Sequence, residues 1–184
     1  RTAGQNTTSG ASNIVAVGWS ALNNAAGTNV VAIGPAAGQY FTASGAVLVG
    51  SNAGGGSATT SITAVGKVFL GANAGQYADG TSQVAIGRNA LQGSSTGAFL
   101  SGNNTIAIGG GAGQFLSATG IVIGQSSLSG SATTYVTGSN NVVVGGGAAT
   151  KITTGTNNII LGYAAGVTPT TGGSNIFIGQ GADG

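Results

Sequence analysis

A glycine that closes a short apolar segment recurs ten times along this chain of 184 residues. The steps between successive copies run from 15 residues, at Gly109 to Gly124, to 22 residues, at Gly87 to Gly109. The ten glycines are Gly18, Gly34, Gly50, Gly71, Gly87, Gly109, Gly124, Gly145, Gly162 and Gly179. A period this short leaves no room for a helix and is typical of one coil of a β-solenoid. We therefore expect an all-β parallel solenoid, or β-roll, of about ten coils.

The residues one and three positions before each glycine predict a strand. Every one of them is Val, Ile or Leu, as at Ile106 and Ile108. Most are β-branched, a composition that favours strands over helices. Three positions after the glycine, Ala stands in nine copies and Ser127 in the tenth, which indicates a tight corner. We expect the two Val/Ile/Leu columns to stack inside the coil.

The residue two positions before each glycine should then point away from that core, and it is also apolar. We call this set the stripe; its members are Ala16, Ala32, Leu48, Phe69, Ala85, Ala107, Val122, Val143, Ile160 and Phe177. Strands that are apolar on both faces are usually covered on both. A long exposed apolar stripe marks an interface, so we expect it to lie against other copies of the chain.

Composition excludes several function classes. Only 3% of the residues are charged, and the four cations form no cluster of the kind that binds nucleic acid. No apolar run approaches the roughly 20 residues that a membrane-spanning helix needs. The chain has no Glu, His or Cys, and Asp79 and Asp183 are isolated, so neither an acid–base pair nor a metal ligand set can be assembled from them. We expect no cofactor, no metal, no nucleic-acid partner, no membrane insertion and no enzymatic activity.

The segments "NVVAIGPAAG", "QVAIGRNAL" and "NTIAIGGGAG" resemble the N-x-V-A-I-G-x-x-A coils of YadA-like heads. These heads belong to trimeric autotransporter adhesins, and similar repeats occur in bacteriophage tail fibres. The resemblance spans Asn13 to Gly184. It implies a left-handed parallel β-roll, three chains around one axis, and a role in surface attachment. Residues 1–12 would form an N-terminal lead-in and residues 13–184 a single solenoid domain.

Three coils are longer than the rest and carry inserts, which contain "SATTSIT", "STGAFLSG" and "SATTYVT". Two interpretations stay open. The inserts are slack surface loops, or they are projections that contact a partner. In the second case the candidate contact residues are Thr60, Ser61, Phe99 and Tyr135.

The sequence thus predicts a structural and adhesive segment of an extracellular trimeric fibre. It would be a bacterial adhesin head or a phage tail fibre, located on a cell surface or a virion appendage, with a surface glycan or a protein receptor as partner. One alternative is an ice-binding solenoid, which would need ranks of Thr at a fixed coil position. The other alternative is a non-catalytic spacer of the same kind of filament.

Overall fold

The computed structural model describes residues 12–57, 61–94, 100–131, 134–168 and 171–184. They contain ten short strands in one parallel sheet, and each strand pairs with the next one in the sequence. The strands are β1 (Ile14–Val17), β2 (Val30–Ile33), β3 (Ala46–Val49), β4 (Lys67–Leu70), β5 (Gln83–Ile86), β6 (Ile106–Ile108), β7 (Gly120–Ile123), β8 (Asn141–Val144), β9 (Ile159–Leu161) and β10 (Ile176–Ile178). The fold is a β-solenoid of about nine turns, which confirms the predicted all-β parallel solenoid.

Each of the ten predicted glycines directly follows a strand, and equivalent repeat positions are paired in register, as in Ile106 with Ile121. The strand-ending glycines also stack on one another. Gly109 has a φ of 131°, and a Cβ built on it would lie 2.6 Å from the carbonyl oxygen of Gly124. Because neither that φ nor that approach suits a side chain, the sequence repeats glycine there.

The predicted assignment of the two strand faces is wrong. In β7, Ile121 and Ile123 are 38% and 36% exposed, whereas Val122 between them is fully buried. The same alternation holds along the sheet, so the stripe lies inside the coil and the Val/Ile/Leu columns lie outside. Eight stripe residues are fully buried, and two at the ends of the sheet are partly buried. The eight are Ala32, Leu48, Phe69, Ala85, Ala107, Val122, Val143 and Ile160, and the two are Ala16 and Phe177.

Complementary side-chain sizes explain why the stripe lies inside. Inside each coil, the stripe residue faces the residue six positions later in the sequence. Where one of these two side chains is large, the other tends to be small. A Cβ on Gly166 would lie 2.8 Å from Cδ1 of Ile160, so a side chain there would have to displace the isoleucine. In the coil of β5 the sizes are reversed, with Ala85 and Leu91 both fully buried. Leu91 adopts a φ of 51°, and the equivalent position is left-handed in other coils as well, for example at Gly166 with 63°, so the turn sets this conformation in each coil.

The predicted tight corner is confirmed. The alanine three positions after each strand-ending glycine is fully buried from Ala21 through Ala165 wherever the copy has alanine, and Ser127 is buried in the remaining one. Only in the last coil is this alanine, Ala182, partly exposed. The small residue lets the backbone turn against its neighbours in the stack.

Polar side chains join coils both outside and inside the solenoid. At one corner, Gln92 donates to Gln76 and accepts from Gln114, both at 3.0 Å. Inside, the residue four positions before the strand-ending glycine is apolar in the coils of β1 to β3 and polar from Lys67 onward, except for Gly120 in the coil of β7. The buried Gln83 side chain, for example, donates to the Gly102 carbonyl at 2.8 Å. These interior groups satisfy loop carbonyls that no strand partner reaches.

Candidate functional site

The outward face of the sheet is an apolar surface that runs through all ten strands. It consists of the Val, Ile and Leu residues one and three positions before each strand-ending glycine, and we call it the outward face. Its most exposed members are Val15, Val17, Ile33, Val47, Val68, Ile121, Ile123, Val144, Ile159, Ile176 and Ile178. Exposure is therefore highest on β1 to β4 and on β7 to β10, whereas the outward side chains of β5 and β6 are half-buried.

The dimensions of this face place it in the range of interaction surfaces. Strands stack about 4.8 Å apart, so ten strands extend about 48 Å, and its two columns are about 7 Å apart along each strand. The resulting patch covers roughly 300–500 Å², which is as large as the largest patch on a typical monomer. Unlike such a patch, it is one unbroken sheet surface without a charged residue in either column.

Three large side chains lie along one edge of the outward face. Trp19, Arg88 and Tyr163 each directly follow a strand-ending glycine, in the coils of β1, β5 and β9. Trp19 is 56% exposed and Tyr163 is 67% exposed, and Arg88 is exposed as well. Trp, Tyr and Arg are the residue types that protein interfaces favour. The edge therefore has the residue types of a protein interface and adjoins the apolar strands.

The structure places the predicted insert contacts differently from one another. Thr60 and Phe99 lie outside the described residues. Ser61 is partly buried. Tyr135 is also partly buried, and its ring packs edge-on against Phe115, with 6.0 Å between ring centroids. Tyr135 is therefore held against the solenoid wall rather than projected from it.

Each insert ends in a buried aliphatic residue that rejoins the solenoid. Ile62, Leu100 and Val136 pair with Phe41, Ala78 and Leu116 in isolated parallel bridges. All three aliphatic residues are buried. The far ends of the inserts thus belong to the core, which neither the slack-loop nor the projection interpretation anticipated.

The two carboxylates fasten loops. Asp79 accepts hydrogen bonds from the Thr63 amide at 2.6 Å, the Thr63 hydroxyl at 3.0 Å and the Ala64 amide at 2.8 Å. Asp183 accepts from the amide and the hydroxyl of Thr168. The hydrogen bond from the Thr168 hydroxyl is the main cause that holds the pKa of Asp183 below its usual value. By accepting these hydrogen bonds, the two carboxylates stabilise the conformation of the loops that donate them.

The described part of the chain also bears on metal sites and on membrane spans. No group of three or more His, Cys, Asp or Glu residues lies close enough there to hold a metal ion. In those same residues there is no helix of the length and apolar character needed to cross a membrane.

Comparison with protein families, with curated proteins and with solved structures gave no match for this chain. Function is therefore inferred from the outward face, from the inserts and from the resemblance of the repeats.

Proposed function

We propose that this chain is a structural and adhesive segment of an extracellular trimeric fibre, built as a left-handed β-roll and positioned on a cell surface or a virion. The observation that carries the proposal is the outward face, on which every strand presents Val, Ile or Leu at two positions. The corrected orientation of the strands moves the predicted inter-chain contact from the stripe to this face.

A flat apolar sheet surface without charges is prone to uncontrolled association unless a partner covers it. Here the face has the same residue types in every coil, so another copy of the chain in parallel alignment offers a matching surface along its whole length. The count of three chains follows from the resemblance to YadA-like heads.

The attachment part of the proposal is supported by the inserts. They occur in every second coil, after β3, β5 and β7, which puts them about 10 Å apart along the solenoid. Their near ends lie in Ser/Thr-rich sequence, while their far ends are fixed by buried Ile62, Leu100 and Val136. Ligand-contacting segments on a rigid scaffold commonly have this arrangement.

The neighbouring residues Ile106 and Ala107 test the association. Ile106→Asp puts a charge on the outward face, and we expect a folded chain that sediments as a monomer. Ala107→Asp buries a carboxylate inside the coil, at a cost of several kcal/mol, and we expect loss of folding by circular dichroism. Thr137→Asp, at an exposed position outside the strands, is the matched control and should remain trimeric. A trimer with unchanged sedimentation in Ile106→Asp would contradict the proposed interface.

Attachment is tested separately, by binding of the labelled wild-type trimer to glycan arrays and to intact cells. Saturable binding to any of these surfaces supports an adhesive role, and a loss of affinity when residues 95–98 are deleted assigns a contribution to that insert. An intact trimer without saturable binding to any of these surfaces would show that the segment is a spacer.

A further inference from the structure

A small cavity that is open to solvent lies where the insert of the β7 coil meets the following coil. Its volume is about 210 Å³. That is below the 300–1,000 Å³ typical of pockets for drug-sized ligands, and it suits a single ring. Most of the side chains that line it carry hydroxyl groups, and one carries an ammonium group: Ser129, Ser131, Thr134, Thr150, Thr153 and Lys151.

The cavity coincides with a break in an aromatic column. The sixth residue after the strand-ending glycine is aromatic in the coils of β2, β4 and β6, where it is Tyr40, Tyr77 and Phe115. Each of these three residues is partly buried and has a φ near 60°. In the coil of β8 the equivalent residue is Lys151, which is exposed and lacks the positive φ. The chain therefore omits a ring at the place where the cavity opens.

A backbone hydrogen bond is missing at the same place. The amides of Tyr40, Tyr77 and Phe115 donate to carbonyls of the preceding coil at 2.9 to 3.0 Å. Within the residues that the structure describes, the Lys151 amide donates no such bond to the equivalent residue, Ser129. The two coils are thus unpaired at this point, and the gap between them forms the cavity.

The chemistry of the lining selects a ligand class. Hydroxyl groups exchange hydrogen bonds with other hydroxyl groups, and the buried side chain of Ile152 gives the cavity an apolar wall. The Lys151 ammonium adds a positive charge. The nearby carboxylate of Asp183, whose pKa Lys151 helps to lower, accepts hydrogen bonds from Thr168, and within the described residues no carboxylate lies within ion-pair distance of Lys151. Lys151 is therefore available to an anionic group of a ligand.

We propose that this cavity binds one acidic sugar unit, a pyranose ring that carries a carboxylate or a sulfate. The ring fills the space that Tyr or Phe occupies at the equivalent positions, its hydroxyl groups bond the Ser and Thr side chains, and its acid group contacts Lys151. This inference specifies the class of ligand for the attachment part of the proposed function. The biological role of the cavity rests on that proposed function.

Saturation-transfer NMR on the full chain tests the site, with glucuronic acid, glucose 6-sulfate and neutral glucose as probes. We expect saturable transfer to at least one of the two acids, and an affinity for glucose that is about tenfold weaker because the charge-assisted contact is lost. The two acids distinguish a carboxylate ligand from a sulfate ligand. No saturable transfer to either acid, or equal affinity for glucose, would overturn the proposal.

Two substitutions at Lys151 locate the binding. Lys151→Gln removes the charge and should weaken acid binding about tenfold. Lys151→Tyr introduces the residue that stands at the equivalent position in the coils of β2 and β4, and it should fill the cavity and abolish binding. Wild-type affinity in Lys151→Tyr, or equal affinity for inorganic sulfate alone, would show that no sugar site exists here. Sedimentation of the same samples reports the oligomer independently, so failure of the trimer and failure of this site are distinguishable.

Discussion

The Nζ atom of Lys67 donates a hydrogen bond of 3.0 Å to Oε1 of Gln83, the residue stacked on it in the next coil, inside the solenoid. The same ammonium also donates to the carbonyl oxygens of Ala78 and Gly80. Three acceptors match the three donors of the ammonium, which explains how a cation is tolerated at 1% exposure. Burial nevertheless lowers the pKa of Lys67 to about 8, and the negative charge of Asp79 opposes this shift.

This pKa predicts that folding stability rises at alkaline pH. Below pH 8 the Lys67 amine is protonated in both states, so the stability is constant with respect to this group. Above pH 8 the folded state loses the proton while the unfolded state, with a pKa of 10.5, still holds it. The free energy of unfolding should then increase by about 2 kcal/mol between pH 7 and pH 9.5. Urea denaturation at the two pH values measures the change.

Lys67→Met is the control for this prediction, since it removes the titrating group and retains a long side chain. It should abolish the increase while other groups titrate as before. An equal pH dependence in the wild type and in Lys67→Met would assign the effect to other residues.

Two glycines in one coil should differ in how much their substitution destabilises the fold. Gly109→Ala places a Cβ 2.6 Å from the Gly124 carbonyl oxygen at a φ of 131°, and it should destabilise the fold by at least about 2 kcal/mol. Gly111 has a φ of 67°, and a Cβ there meets nothing closer than 3.7 Å. At the equivalent place the preceding coil has Asn89, so Gly111→Asn should change the stability by less than about 1 kcal/mol. Thermal melting of both variants decides, and equal losses would refute the stacking of the glycines as their cause.

The size complementarity inside the coil predicts that a second substitution restores part of the stability lost through a first one. Gly166→Leu should be severely destabilising because its side chain collides with Ile160. Ile160→Ala should cost about 2–5 kcal/mol through the cavity it leaves. The double variant recreates the arrangement of Ala85 and Leu91, and its stability should exceed the sum of the single effects by about 1–3 kcal/mol. Additive losses in a double-mutant cycle would mean that the two positions do not share one space.

The buried ends of the inserts predict a cost that surface loops would not have. Leu100 is fully buried and bridges to Ala78, so Leu100→Ala should destabilise the fold by about 2–5 kcal/mol. Thr137, the exposed residue that follows the equivalent Val136, is the control, and Thr137→Ala should change the stability by less than about 0.5 kcal/mol. Denaturation curves that coincide for the two variants would show that the far end of this insert adds nothing to the core.

The positions of the strands were predictable because local chemistry specifies them. Each strand ends at the glycine that the repeat predicted, and each corner contains the small residue that followed three positions later. The stacking register was equally accessible, since identical repeat positions are paired from β1 to β10. Strand propensity, the backbone freedom of glycine and the repeat itself are properties of short segments, so no tertiary information is required.

Tertiary structure decided which strand face is inside. Alternation shows only that Ile106 and Ile108 share a face that Ala107 does not, and both faces are apolar here, so the pattern is nearly symmetric. The asymmetry lies in space across the coil, where the large Ile160 faces Gly166 and the small Ala85 faces Leu91. The sequence already contains this pairing of a large residue with a small one six positions away. It indicates which face is inside only once the turn is known to bring the two positions opposite each other. The cavity beside Lys151 could not be predicted for the same reason. Lys151 marks a cavity only when the stacked coils show that an aromatic ring stands at its position in the coils of β2, β4 and β6.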